Sequence, residues 1–388
     1  MRVLVLGGDG YLGWPTALHL SECGHEVAVA DNFVRRQYDH EMGVESLVPI
    51  EPLHTRIDVW KDHTGHHIEA FVVDLTDAEA TADMVGRFRP DTIIHFAEQR
   101  SAPYSMIDRR HAVYTQYNNV IGTLNVLFAI QETDPEIHLV KLGTMGEYGT
   151  PNIDIEEGWL DVTHNGRSDR VLYPKRPGSF YHLTKVHDSH NIEFACRVWG
   201  LRATDLNQGI VYGQETSQTA LDPRLATRFD YDAIFGTVLN RFVIQAVLRE
   251  PLTVYGSGGQ MRGIIDIRDT VECLRLTTEK PAERGEYRVF NQLTEMMTVA
   301  DIAKVVATNY PEATDIEYLD NPRVEAEDHY YNVTHQGLFD LGLEAHLLSA
   351  TLIDSMFAIA ERNQHRTNRA ALRPLVDWRL TSNPIRAT

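Results

Sequence analysis

Residues 1–13, which read Met-Arg-Val-Leu-Val-Leu-Gly-Gly-Asp-Gly-Tyr-Leu-Gly, decide the fold of this chain. The apolar run at 3–6 predicts a buried strand, and Gly7, Gly10 and Gly13 follow where a helix should begin. Side chains at these three positions would block a tight turn, the approach of a pyrophosphate to backbone N–H groups, and the packing of the helix on the strand. The spacing therefore predicts a dinucleotide site at the end of the first strand.

The next two hundred residues alternate short apolar runs with helical stretches, which is typical of βαβ units and a parallel sheet. The predicted strands after the first are 27–30, 70–73, 92–96, 137–142 and 203–206. The connection at 35–69 is longer than an ordinary βα loop, so we expect an insertion with some helix there.

Beyond about residue 212 the pattern loosens, and prolines divide shorter elements. We therefore predict an α/β protein in which a Rossmann-type doubly wound parallel sheet forms the NAD-binding domain, residues 1–211. Segments around 236–275 are expected to return to that domain. A smaller, mixed α/β and discontinuous lobe, residues 212–388, is expected to bind the substrate.

Composition excludes several classes of function. The net charge of −19 disfavours a nucleic-acid partner, because such partners require a basic surface. No apolar stretch is long enough for membrane insertion, and an acidic residue and glycines interrupt any signal-like start, so we expect a cytoplasmic protein.

The three cysteines are far apart and are expected to be buried, not paired. A histidine cluster at 63–67 offers no fourth ligand, so no metal is expected.

Polar side chains that follow the strands are candidates to bind the dinucleotide. Asp31 ends the second strand, where a carboxylate can accept a hydrogen bond from a ribose 2′-hydroxyl, and this favours NAD over NADP. Arg35 and Arg36 lie just beyond it and would suit a 2′-phosphate instead. Asp74 and Leu75 close the third strand, where they would meet the adenine; ordinary strand-end polarity is the alternative for both.

A second signal lies on a helix predicted to begin near Ser179. Tyr181 and Lys185 are one turn apart on the same face of this helix. A phenol with a pKa of about 10 is a poor base, but a neighbouring ammonium and an oxidised nicotinamide both favour the phenolate. Tyr181 would then remove a substrate hydroxyl proton while a hydride leaves for the cofactor. Thr144, at the end of the fifth strand, would hydrogen-bond the reacting oxygen.

Several longer segments resemble the extended short-chain dehydrogenase/reductase family, whose members modify nucleotide sugars through transient oxidation. They are Gly-Gly-Asp-Gly-Tyr at 7–11, Asp-Asn at 31–32, Phe-Ala-Glu-Gln-Arg-Ser-Ala-Pro-Tyr-Ser-Met at 96–106, Gly-Thr-Met-Gly-Glu-Tyr-Gly-Thr-Pro at 143–151, Tyr-His-x-x-Lys-Val-His-Asp at 181–188 and Asn-Pro-Arg-Val-Glu-Ala-Glu at 321–327. The resemblance implies a homodimer in which helices within 104–130 and 181–199 form a two-fold interface.

Within that family the segments resemble members that use UDP-glucose and sulfite. The implied reaction begins when Tyr181 deprotonates the glucose 4-hydroxyl and NAD⁺ takes the C4 hydride. The C4 ketone acidifies the C5 proton, water leaves across C5 and C6, sulfite adds at C6, and the hydride returns. Two alternatives stay open: a UDP-hexose 4-epimerase or 4,6-dehydratase, and a non-catalytic NAD-binding regulator, which would need neither Tyr181 nor Lys185.

The resemblance also assigns residues to the side of the sugar that bears C5 and C6. Related 4,6-dehydratases carry an Asp-Glu pair directly after the threonine, where this chain has Met145 and Gly146. Met145 and His182 are therefore expected to line this side. His182 is the expected proton shuttle because an imidazole titrates near neutral pH, and Glu147 is a lesser candidate.

Two sets of contacts complete the prediction. The cofactor contacts are Gly7, Asp9, Gly10, Tyr11, Leu12, Gly13, Asp31, Asn32, Arg36, Asp74, Leu75, Phe96, Ala97, Glu98, Asn118, Tyr181, Lys185 and Gln208. The substrate contacts are Gln99, Arg100, Thr144, Asn207, Val254, Tyr255, Gln260, Arg262 and Arg323. A chain with a net negative charge needs local cations to bind anionic substrates. The alternative for the arginines is that they form surface salt bridges.

Overall fold

A computed structural model describes residues 1–310, 315–326, 330–348 and 350–383 of the chain. Its strands are β1 (Arg2–Leu6), β2 (Glu26–Asp31), β3 (Ile68–Val72), β4 (Thr92–His95), β5 (His138–Thr144), β6 (Trp159–His164), β7 (Arg167–Leu172), β8 (Arg202–Gln208), β9 (Ile210–Tyr212), β10 (Leu252–Tyr255), β11 (Met261–Asp266), β12 (Tyr287–Gln292), β13 (Glu295–Thr298) and β14 (Ile316–Leu319). The last residue of the segment 321–327, which carries part of the resemblance, lies outside these ranges.

The helices are α1 (Gly13–Glu22), α2 (Val34–Met42), α3 (Leu53–Thr64), α4 (Ala78–Phe88), α5 (Ala102–Ser105), α6 (Arg109–Gln116), α7 (Gly122–Thr133), α8 (Phe180–Trp199), α9 (Val238–Val247), α10 (Ile267–Glu279), α11 (Val299–Asn309), α12 (Gly337–Asp340) and α13 (Ala350–Asn363). A π-helical turn, Tyr117–Ile121, joins α6 to α7. Within the described residues no helix combines the length and apolar character that crossing a bilayer requires.

A seven-stranded parallel sheet in the order β3-β2-β1-β4-β5-β8-β12 organises the chain. Its first six strands in chain order are the six predicted ones, so the predicted Rossmann-type doubly wound sheet is confirmed. The strand order reverses between β1 and β4. In sheets of this kind ligands bind at such a switch point, beyond the carboxyl ends of the strands.

Both faces of the sheet are covered, which explains why its strands read as continuous apolar runs. Val3 and Val5 of β1 point into one hydrophobic core, which contains Trp14 of α1 and Leu274 of α10. The alternate residues of β1 point into a second core formed with α4, α7 and α8. The predicted insertion at 35–69 contains α2 and α3, so its helical character is confirmed.

The later part of the chain builds the smaller mixed lobe. Strands β9, β11 and β13 form one small sheet, β10 and β14 form another, and α9, α11 and α13 pack around a shared core. Of the segment 236–275, the part from Ile267 onward packs on the main sheet, whereas α9 belongs to the second lobe. Among the cysteines, Cys196 and Cys273 are buried, but Cys23 is exposed, which corrects the expectation for that residue because the end of α1 faces solvent.

Candidate active site

A cavity of about 400 Å³ opens at the switch point between β1 and β4. Most of the predicted site residues line it, from both the sheet and the smaller lobe. These residues are Gly7, Gly10, Tyr11, Leu12, Gly13, Asp31, Asn32, Asp74, Leu75, Phe96, Ala97, Glu98, Arg100, Asn118, Thr144, Tyr181, His182, Lys185, Gln208, Tyr255, Gln260, Arg262 and Arg323.

The glycine turn forms one wall of this cavity and fits the pyrophosphate of a dinucleotide. Gly7 has a φ of +90°, and a Cβ on it would lie 3.0 Å from the backbone nitrogen of Ala97. A Cβ on Gly13 would lie closer than 3.0 Å to the carbonyl of Gly7, so α1 can begin this close to β1 only with glycine. Asp31 is held at the cavity edge because its carboxylate accepts hydrogen bonds from the backbone N–H groups of Asp9, at 2.9 Å, and Phe33, at 2.7 Å.

Replacement of Gly13 by alanine tests this packing. We expect Gly13→Ala to lower the free energy of unfolding by about 1–3 kcal/mol, as other overpacked positions do, and to weaken NAD binding. Gly86 is the matched control, because it lies inside α4 and an added Cβ there meets open space. Gly86→Ala should stabilise the protein by roughly 0.5–1 kcal/mol. Urea unfolding measures both variants, and equal effects would contradict the packing argument.

Helix α8 positions the predicted tyrosine and lysine. Ser179 caps its first turn, with its hydroxyl oxygen accepting the N–H of His182 at 3.2 Å, and the N–H of Tyr181 donates to Ser105 at 3.0 Å. The ammonium of Lys185 lies 6.0 Å from the centre of the Tyr181 ring. It donates to the carbonyl of Leu142 at 2.6 Å. The predicted pair thus faces the cavity.

The pKa values of the Tyr181 phenol and the His182 imidazole, both on α8, shift in opposite directions. Burial raises the pKa of Tyr181 above its ordinary value, and the nearby Lys185 only partly offsets that rise. Burial lowers the pKa of His182 to about 4, and the Arg323 guanidinium acts in the same direction. At pH 7 the His182 imidazole is therefore neutral. The Tyr181 phenol is protonated when only the charges of the protein act on it.

His182 reaches the cavity although it follows Tyr181 on the helix. Its Nδ1 lies 2.9 Å from the Ser179 hydroxyl, and its ring lies directly over the backbone of Gly146. A Cβ on Gly146 would come closer than 3.0 Å to that ring. The absence of a side chain at 146 therefore provides the room for the imidazole.

Glu147, predicted as a lesser catalytic candidate, lies outside the wall of this cavity. Its carboxylate is buried, 3.3 Å from the ammonium of Lys141 and 2.5 Å from that of Lys175. It also accepts the N–H of Thr144 at 3.2 Å. Burial alone would raise the pKa of Glu147, but the two ammonium groups outweigh it and lower the pKa. The structure places Glu147 where it fixes the turn that carries Thr144, and its catalytic role stays a prediction.

Several other predicted site residues do not line this cavity, because protein groups hold each of their side chains. Met145 packs with Tyr148, Ile155 and Tyr173 in a separate apolar cluster, and Val254 is buried in the core of the second lobe. The side-chain amide of Gln99 donates to Thr115 at 2.9 Å and to the carbonyl of Ser101 at 3.0 Å, and that of Asn207 donates to Tyr148 at 2.7 Å. The Asp9 carboxylate accepts from Arg36 at 2.8 Å and from Arg56 at 2.5 Å.

Further cavity residues were missed in the sequence. Among them are Tyr38, Arg228, Phe235, Arg241 and Glu325. Arg35, which the sequence offered as a contact for a 2′-phosphate, also lines the cavity. Arg35 donates to Asp230 at 3.0 Å and pairs with Asp39, and its guanidinium lies 3.8 Å from the centre of the Phe235 ring. Because carboxylates already neutralise Arg35, it offers little charge to a 2′-phosphate.

Comparison with known families decides the cofactor. The sequence profile of the NAD dependent epimerase/dehydratase family matches residues 3–291. The chain belongs to this family. As a member of the NAD dependent epimerase/dehydratase family it uses NAD, and the glycine turn and Asp31 described above are where this structure fits that cofactor.

Two curated relatives are similar to this chain over most of its length. The chloroplastic UDP-sulfoquinovose synthase of Spinacia oleracea is 57% identical over 381 residues, which are 97% of this chain and 79% of that protein. The UDP-sulfoquinovose synthase of Sulfolobus acidocaldarius is 47% identical over 346 residues, which are 88% of each chain.

Solved structures of the family confirm the fold. A UDP-glucose 4-epimerase of Thermotoga maritima, crystallised with UDP-glucose, superposes with a TM-score of 0.70 at 19% identity, covering 95% of this chain and all of that one. A UDP-glucose 4-epimerase of Thermus thermophilus in complex with NAD gives a TM-score of 0.65 at 24% identity, covering 93% and 99% of the two chains.

Proposed function

We propose that this chain has UDP-sulfoquinovose synthase activity and forms UDP-sulfoquinovose and water from UDP-glucose and sulfite. The observation that carries the proposal is the 57% identity over 97% of the chain with a relative of that name. The cavity supports it, because Thr144, Tyr181, Lys185 and His182 converge there.

The proposed site binds the UDP moiety through cations of the smaller lobe. Arg241, Arg262 and Arg323 line the cavity beside Tyr255. Arg262 is oriented by Glu325, whose carboxylate accepts a hydrogen bond from it at 2.6 Å. A diphosphate is a bidentate acceptor that guanidinium groups suit, so these residues would hold the substrate while its glucose extends toward Tyr181.

The proposed chemistry starts at the glucose 4-hydroxyl. Thr144 orients this oxygen by a hydrogen bond, and Tyr181 takes its proton as general base. The glycine turn and Asp31 would hold NAD⁺, which would supply the acceptor for the C4 hydride and the donor for its return. Tyr181 then gives its proton back to the C4 oxygen, so the phenol ends as it began.

His182 serves the elimination that the C4 ketone makes possible. Its neutral imidazole accepts the C5 proton and transfers it to the departing 6-hydroxyl, which leaves as water. The sulfur of hydrogen sulfite bonds to C6, and the proton that hydrogen sulfite brings restores C5 through the His182 imidazole. The Arg100 guanidinium lines the cavity, where it pairs with Asp230, and its remaining N–H groups can donate to the incoming anion.

Incubation of the purified protein with UDP-glucose, with and without sulfite, tests the proposal. We expect a sulfonated nucleotide sugar, identified by mass, only when sulfite is present. UDP-galactose would indicate an epimerase, a UDP-4-keto-6-deoxyhexose would indicate a dehydratase, and no turnover would favour a non-catalytic NAD-binding regulator. Each of these three outcomes would overturn the proposal.

We also propose a homodimer built on helices α6, α7 and α8. Large apolar side chains on these helices and the π-helical turn are exposed, and they are Val113, Tyr117, Phe128, Phe180, Phe194 and Val198. A patch of this kind on one surface indicates a protein–protein contact, and a symmetric pair of such surfaces would bury it.

Val198→Asp should shift this dimer toward monomer, because a carboxylate would be buried without a partner in the contact. The measurement is sedimentation equilibrium at several protein concentrations. Val162→Asp is the matched control, since Val162 is exposed on the β6–β7 hairpin, which is not part of the proposed contact. A wild-type protein that sediments only as monomer would contradict the proposed dimer.

A further inference from the structure

The two nitrogens of the His182 imidazole have different surroundings. Nδ1 lies 2.9 Å from the hydroxyl oxygen of Ser179, a buried residue at the start of α8. The other edge of the ring, which carries Nε2, lies over the backbone of Gly146, where a Cβ would come closer than 3.0 Å to this nitrogen. The imidazole lines the cavity. Because Ser179 occupies Nδ1, Nε2 is the nitrogen that can exchange a proton with a substrate.

The position of one hydrogen decides what Nε2 can do. Burial lowers the pKa of His182 to about 4, so at pH 7 the ring is neutral and carries a single N–H. If the hydrogen is on Nε2, this nitrogen can only donate it. If the hydrogen is on Nδ1, Nε2 keeps a free lone pair and can accept a proton. The partner of Nδ1 therefore determines whether His182 can act as a base.

The place of Ser179 at the N-terminus of α8 favours the hydrogen on Nδ1. The Ser179 hydroxyl oxygen accepts the backbone N–H of His182 at 3.2 Å. Its second lone pair can accept an Nδ1–H group at 2.9 Å. The positive end of the helix dipole orients the hydroxyl with its oxygen toward the helix and its hydrogen away from it. Both N–H groups of His182 then donate to the same oxygen.

We propose that Ser179 is a positioning residue that holds His182 in the tautomer with its hydrogen on Nδ1, so that Nε2 presents a lone pair to the cavity. This inference rests on the role of His182 in the proposed function. In the elimination, Nε2 takes the C5 proton, and the electron pair of the C5–H bond becomes the C5–C6 double bond. The C6–O bond breaks, and the imidazolium gives its Nε2 proton to the departing 6-hydroxyl, which leaves as water. The bond from Nδ1–H to Ser179 persists through both transfers.

The test is nitrogen NMR of cofactor-free protein labelled in its histidine rings, because ring nitrogens with and without a hydrogen resonate in separate regions. His182→Gln assigns the His182 signals by their loss. In the wild type we expect the hydrogen on Nδ1 and a bare Nε2, and a wild type with the hydrogen on Nε2 would overturn the proposal. Ser179→Ala should lose this preference, and Ser179→Thr, which keeps a hydroxyl, should restore it. An unchanged tautomer in Ser179→Ala would also overturn the proposal.

A second helix cap provides the matched control, because Ser179 also caps α8. Asp77 is exposed and caps α4, a helix without histidine, by accepting the N–H of Ala80 at 3.0 Å. Asp77→Ala loses a cap of the same kind and should leave the His182 tautomer and kcat unchanged. Ser179→Ala should lower kcat for the sulfonated product by about tenfold or more, a part of what a positioned general base contributes. Equal losses of kcat in the two variants would contradict a positioning role.

A partial reaction separates positioning from general damage. Oxidation at C4 uses Tyr181 but not His182, so Ser179→Ala should retain the NADH absorbance that appears with UDP-glucose alone. The same variant should lose at least about tenfold in the rate at which the C5 hydrogen exchanges with deuterated water. Equal losses of both signals would overturn the inference.

The NMR measurement needs no turnover, so the inference and the proposed function can fail separately. If the sulfite assay fails while the His182 tautomer depends on Ser179, the proposed function is wrong and the role of Ser179 in fixing the tautomer stands. If the assay succeeds while Nε2 of the wild type bears the hydrogen, the inference is wrong and the function stands.

Discussion

Replacement of Tyr181 by phenylalanine is expected to reduce kcat for UDP-sulfoquinovose formation by about 10²- to 10⁴-fold, the contribution of a positioned general base. The ring of Tyr181 is buried against the cavity, so phenylalanine fills the same space and leaves the packing intact. KM for UDP-glucose and the affinity for NAD should therefore change little. Steady-state kinetics with direct detection of the sulfonated product measures the loss.

The control for this prediction is a tyrosine outside the cavity. Tyr318 of β14 is 54% exposed, and Tyr318→Phe should retain wild-type kcat. The reduction of bound cofactor gives a second readout, because Tyr181→Phe should slow the appearance of NADH absorbance on addition of UDP-glucose alone. A Tyr181→Phe enzyme with kcat within threefold of wild type would exclude the phenol as the base.

The largest effect on stability is expected from Lys141→Met. Lys141 is fully buried in β5 and donates to Asp205 at 3.0 Å, to Ser189 at 3.0 Å and to Glu147 at 3.3 Å. Methionine has a similar shape but no charge, so two buried carboxylates would lose their shared partner. Removal of one member of a buried ion pair typically costs about 3–5 kcal/mol. Urea unfolding followed by circular dichroism measures the change.

An exposed ion pair and a lowering of the pH provide two controls for this prediction. Lys304 is exposed and pairs with Asp301 at 2.9 Å, so Lys304→Met should cost less than about 1 kcal/mol. Because the pKa of Glu147 is lowered in the folded protein, its pairing contributes stability above its unfolded pKa of about 4.3. That contribution is lost as pH falls through the lower folded value. Wild type should lose more stability on acidification than Lys141→Met, and parallel curves would contradict the ion-pair account.

The sequence predicted those parts of the site that depend on local spacing. The glycine turn and the pair Tyr181 and Lys185 each lie within a few residues of chain, where strand and helix geometry settle which atoms meet. The parallel sheet was predicted for the same reason, since apolar runs between helical stretches leave few other arrangements.

Other parts depend on contacts that only the folded chain makes. Arg35 pairs with Asp230, which is 195 residues away in the chain, and no local sequence pattern indicates that pair. At the end of β8 the side chains alternate, so Gln208 faces the cavity while Asn207 is turned toward Tyr148, and the sequence does not say which of the two points inward. The sequence also did not show that Glu147 pairs with two lysines, because these come from a strand and a distant loop.

The imidazole that rests on Gly146 constrains how this enzyme can have arisen. An ancestor with an acidic residue at that position would have had no space for the ring of His182, since even a Cβ intrudes on it and would force the ring from its hydrogen bond with Ser179. Position 146 cannot gain a side chain while the imidazole keeps this place. An evolutionary path from the dehydratase pattern to this one must therefore clear position 146 before the imidazole arrives at 182, or together with it.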